Sequence, residues 1–138
     1  MSRHGYNEDC DSTWQYIRWR GAVDRAIHGK RGQAFLLEMF RTLEAMPVKR
    51  LIRNSFESKD GEVCALGAVA KARGLDLSKV DDVDGDSLGA MFGIARAMAC
   101  EIMFMNDDGF WHVTPELRWQ RMCVWIIKHL DPVEETRK

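Results

Sequence analysis

Apolar residues recur every three or four positions along most of this chain, the period of helices lying on a core. The first such stretch runs from Trp14 to about Ile27, with Trp14, Ile17, Val23, Ala26 and Ile27 as its apolar set. Arg18, Arg20 and Arg25 fall outward, and Gly29 is placed to end the helix. The next is clearer. Leu36, Met39, Phe40, Leu43 and Met46 form one stripe, and Pro47 stops it. A short small-residue helix follows from Cys64 to Gly74. From 88 to 105 the chain is apolar nearly all round, with only Arg96 and Glu101 charged, so it predicts a central helix wrapped by the others. Gly93, Ala97 and Cys100 make a narrow stripe on it, suited to close packing against the 64–73 helix.

The last helix is the best marked. Thr114 is a natural cap, Pro115 suits the first helical position, and Glu116 favours the positive helix end. Trp119, Met122, Cys123, Ile126, Ile127 and Leu130 form its predicted core stripe, and Asp131-Pro132 closes it. Between these helices, VKRLIRNSF and EVCAL flank an Asp60-Gly61 turn signal. The expected fold is mainly α: about five helices around the 88–105 helix, with a short β-hairpin near 50–64 as the α+β alternative. Residues 1–11 read as a frayed tail, 12–131 as one domain and 132–138 as a loose end.

Composition adds bounds. With 138 residues, 46% hydrophobic and 30% charged, the chain suits a single globular domain. The formal net charge of −1 gives no overall pull toward nucleic acid or anionic lipid. The distribution is uneven, however. Residues 17–53 carry a balance of +6, and residues 57–108 a balance of −6. The halves face each other, or are solvated separately, or the basic half is a functional surface, nucleic acid being its candidate ligand. The four cysteines have no CxxC spacing, and the first residues hold no apolar leader. Both point to a reducing cytoplasm.

Candidate chemistry is sparse. DVDGD at 82–86 suggests calcium, but placing Gly85 at the sixth loop position puts Val80 and Met91 at the first and twelfth. Neither side chain carries an oxygen to coordinate the ion, so no metal is expected there. Cys64 near a helix start, with His112 or His28 as a base, is the arrangement that would admit a small cysteine-dependent enzyme. Its spacing is arbitrary, and a packed thiol is the simpler reading. No catalytic residue and no cofactor is expected. The final helix offers more. Arg118, Arg121, Trp125 and Lys128 fall opposite the core stripe, so they read as an aromatic among cations, a recognition surface for an acidic protein or a nucleic-acid base. Arg18, Arg20 and Arg25, near Trp14, Tyr16 and Trp19, are the second candidate surface.

Cys64-Ala-Leu-Gly-Ala, preceded by Asp60-Gly61-Glu62, resembles a segment of small uncharacterised bacteriophage and prophage proteins. Phe92-Gly93-Ile94, the apolar run, Asn106-Asp107-Asp108 and the Thr-Pro-Glu-capped helix with Trp119 and Trp125 are similar to the same group, over about residues 22–127. The resemblance implies a non-enzymatic accessory protein of the bacterial cytoplasm that binds and inhibits a host or defence protein, as anti-CRISPR proteins do. Nucleic-acid binding through residues 17–53 is the alternative.

Overall fold

In the computed structural model, residues 13–77, 85–109 and 113–132 are described. Six helices run through them: α1 (Thr13–His28), α2 (Lys30–Glu44), α3 (Ala65–Arg73), α4 (Gly85–Phe92), α5 (Arg96–Asp107) and α6 (Pro115–His129). The fold is mainly α, as the periodicity predicts. The expected tail at 1–11, all but the first residue of the expected tail at 132–138, most of the acidic loop before α4, and His112 lie outside the described residues.

α2 is the hub on one side, packed against α1, α3 and α6, and α5 is the hub on the other, packed against α1, α3, α4 and α6. Leu36, Met39 and Leu43 of α2 meet Met98, Ile102 and Met103 of α5 in one core, joined by Leu66, Leu88, Met122 and Ile126. Each fully buried side chain of this size contributes roughly 1.5–3 kcal/mol. α1 enters the core through Val23 and Ile27, with Trp19 partly buried beside it. Its first turn does not: Trp14 is 65% and Ile17 52% exposed, so the predicted apolar set of α1 holds only in its second half.

The single helix expected over 88–105 is two helices, α4 and α5, whose axes are bent by 97°. Gly93 has φ 76°, in the left-handed region, and the Ile94 amide donates back to the Gly89 carbonyl at 2.9 Å. That is the 6→1 bond that closes a helix C-terminus on a left-handed glycine. Gly89 makes the return tight, since a Cβ there would lie 2.6 Å from the Ile94 carbonyl oxygen. Ala97 and Cys100 are buried on α5, whereas Gly93 sits exposed at the break, so the expected three-residue stripe does not form. Among the described residues no single helix is long and apolar enough to cross a membrane; only the bent α4–α5 pair reaches that length and composition together.

The hairpin reduces to one antiparallel bridge, Glu57 with Val63. Gly61 turns the chain at φ 84°, with its amide on the Ser58 carbonyl at 3.0 Å. The segment is held instead by side chains from elsewhere. Asn106 is 1% exposed; its Oδ1 accepts from the Ala65 amide at 3.0 Å, and its Nδ2 donates to the Ile52 carbonyl at 2.9 Å. Asp107 accepts from the Asn54 amide at 2.9 Å, and Asn54 has φ 66°, a backbone conformation asparagine tolerates. Asn106 and Asp107 thus form the buried last turn of α5.

Candidate functional site

The surface predicted on α6 is divided between the interior and the exterior. Trp125 and Arg118 are each only 6% exposed. The Trp125 ring lies 4.7 Å from the His129 ring, and Arg118 donates Nη1 to the Leu51 carbonyl at 3.1 Å. Burial lowers the Arg118 pKa, the Arg53 charge lowers it further, and Asp107 opposes both. The buried arc of α6 is rotated toward these two residues, because an indole and the stem of an arginine fill more interior volume than a branched aliphatic. Ile127, expected inside, is 56% exposed beside Val124. Arg121 and Lys128 remain outward.

The second candidate surface is also divided. Arg20 crosses to α5 and holds the buried Glu101 at 2.8 and 3.2 Å. Arg18 and Arg25 are exposed. Further along the basic half, Arg50 meets Glu62 at 3.2 Å and Arg53 meets Asp108 at 2.8 Å. Lys49 is turned over the Trp119 ring, 5.3 Å from its centroid, and donates to the Glu44 and Met46 carbonyls. Three arginines of the basic half therefore neutralise acids of the acidic half, so the two halves face each other along these pairs. Cys64 caps α3, its thiol accepting from the Gly67 amide at 3.3 Å.

One concave feature among the described residues was not predicted. It is a groove of about 1190 Å³ between α2 and α3, closed at one end by residues 46–50 and at one side by the 60–63 turn. Its α2 wall is the row Ala34, Leu37, Arg41 and Ala45, continued by exposed Val48. Its α3 wall is Ala68, Lys71 and Ala72. α2 has a second, outward apolar row because Leu37 and two alanines lie away from the Leu36–Met39–Leu43 row. That row was the legible signal for the groove.

The walls are held apart at a fixed spacing. Arg73 at the end of α3 grips Glu38 of α2 in a two-point pair, Nε to Oε2 at 2.7 Å and Nη2 to Oε1 at 2.5 Å. This hydrogen bonding draws the Glu38 carboxyl below the usual carboxylate range and raises Arg73. The guanidinium also lies 5.7 Å from the ring centroids of Phe35 and Phe92, which ties in the end of α4. On the far wall, Lys71 is held by Glu57 at 3.3 Å and by the Gly61 carbonyl at 3.2 Å. Gly67 lets α3 close on the 56–57 segment, since a Cβ there would lie 2.0 Å from the Phe56 carbonyl oxygen.

Chemically, the groove offers apolar contact area with charges at its rim. Glu38, Arg50, Glu62 and Lys71 are already ion-paired within the chain. Among the described residues, no group of three or more His, Cys, Asp or Glu side chains is placed to hold a metal ion. No protein-family model, curated protein sequence or solved structure matches this chain.

Proposed function

We propose that this chain is a non-enzymatic interaction protein that binds another protein in the α2–α3 groove. The observation that carries the reading is the groove itself: about 1190 Å³, open, lined by alanines, Leu37 and Val48, with most rim charges already neutralised internally. Such a site gains by burying apolar surface of a partner. The resemblance to phage accessory proteins makes a bacterial host or defence protein the partner to seek, with inhibition as the consequence of capture. This replaces the α6 surface as the leading site.

The test is affinity capture from bacterial lysate with the tagged protein, compared with an Ala45→Trp variant that fills the groove from an exposed position. The expected result is a partner identified by mass spectrometry that the wild type retains and the variant loses, with thermal unfolding unchanged. Equal recovery on both proteins would remove the groove as the site.

A further inference from the structure

Two rim charges of the groove are unlike the rest. Arg41 on the α2 wall and Asp60 on the opposing turn take part in none of the ion pairs found among the described residues. They are of opposite sign and stand on opposite walls. The row that carries Arg41, from Ala34 to Ala45, runs for about 16 Å along α2, three turns of helix. Alanines at 34, 45, 68 and 72 leave low places on both walls between Leu37, Arg41 and Lys71, which suits the close end of helix–helix distances, roughly 8–10 Å. Leu37 and Val48 supply the apolar contacts that an incoming side-chain row would cover. The volume exceeds that of an ordinary small-molecule pocket, about 300–1,000 Å³.

We infer that the occupant is one amphipathic helix of about eleven residues, laid between α2 and α3, with an acidic flank against Arg41 and a basic flank against Asp60. This rests on the protein-binding reading above and adds the shape and charge of what is bound. The apolar row gives the affinity, and the two flanks fix the direction in which the helix lies. Reversing the helix would place like charges together on both walls. The mode is that of a helix seated in a preformed groove.

The probes are three fluorescein-labelled, stapled helical peptides with leucines at i, i+4, i+7 and i+11. One carries an acidic and a basic flank, one two acidic flanks and one two basic flanks. Fluorescence polarisation at low salt should rank the mixed peptide first on the wild type. Arg41→Glu makes both walls negative and should move the two-basic peptide to first place. Asp60→Lys makes both walls positive and should do the same for the two-acidic peptide. Each matched pair is expected to change affinity about three- to fivefold, the range of exposed ion pairs. Ala45→Trp should abolish binding of all three, and Leu37→Glu serves if the tryptophan variant unfolds.

An unchanged peptide ranking in all three proteins, with binding still blocked by Ala45→Trp, overturns the charge-directed helix and leaves the protein-binding reading standing. Failure of every peptide to bind the wild type, or binding that survives both groove variants, overturns the helix as occupant. Lysate capture that ignores the groove variants overturns the underlying reading by a separate measurement.

Discussion

Replacing Gly93 by alanine distinguishes the bent α4–α5 arrangement from one continuous helix by the sign of its effect. Gly93 has φ 76°, and a Cβ added there would have nothing within 4 Å, so the substitution meets no clash. The whole cost is therefore conformational. A left-handed alanine costs roughly 1–2 kcal/mol, and the stiffer unfolded chain returns about 0.4–1 kcal/mol. The net is about 1 kcal/mol of destabilisation, a fall of ~3 °C in Tm for a chain of this length. In an uninterrupted helix the same change would stabilise by about 1 kcal/mol, because alanine is the better helix former. The two structures differ by about 2 kcal/mol and in sign. Thermal and urea unfolding followed by circular dichroism at 222 nm resolves that difference. Gly74→Ala is the internal standard, since Gly74 has the same φ of 76° and equally open surroundings at the end of α3. Gly93→Asn should lose less, because asparagine tolerates the left-handed region. A Gly93→Ala protein more stable than wild type, beside a destabilised Gly74→Ala, would refute the break.

Three further outcomes follow from the geometry. Asn106→Leu leaves the Ala65 amide and the Ile52 carbonyl without their partner and should destabilise by about 2–5 kcal/mol, measured by urea unfolding. The Glu38 carboxyl sits below its unfolded-state value, so its contribution is present above about pH 4.3 and is lost as pH falls through the lower folded value; the Tm gap between wild type and Glu38→Gln should be small, since the pair is half-exposed, and should vanish toward pH 2. Burial, aided by Glu44 and opposed by Lys49, pushes the Cys123 thiol up to about 11; at pH 8 its alkylation by iodoacetamide, followed by mass spectrometry, should be slower than in urea by roughly two orders of magnitude, and an equal rate would contradict the buried placement.

The sequence disclosed elements better than faces. α2, α3 and α6 were legible because each carries a stop or cap whose chemistry is local: Pro47 after α2, Cys64 and Gly74 around α3, Thr114-Pro115 before α6. Thr114 indeed accepts from the Leu117 amide at 3.1 Å, and Gly74 is left-handed. Gly93 is the same signal as Gly74, but it lies inside an apolar run, and hydropathy continues unbroken across a right-angle corner. The face of α6 misleads for a related reason. Periodicity locates the centre of a buried arc, while its edges depend on which neighbours stand ready: Leu51 offers a carbonyl to Arg118, and His129 offers a ring to Trp125. The groove stayed hidden although its α2 row was legible, because a concavity belongs to no single element. Ala34 and Leu37 form a wall only when α3 stands beside them, and the charge asymmetry that suggested a basic surface was absorbed in part by three pairs, Arg20 with Glu101 among them.

The Asn106 carboxamide has a kinetic consequence. The first amides of a helix ordinarily have no partner inside it and exchange their hydrogens with water almost as freely as an open chain. The Ala65 amide, at the first position of α3, is instead held by a side chain 41 residues away on α5. Fraying of α3 does not release it. Its deuterium exchange waits until α5 separates from the 51–65 segment, so one amide at the start of a nine-residue helix becomes a clock for that separation.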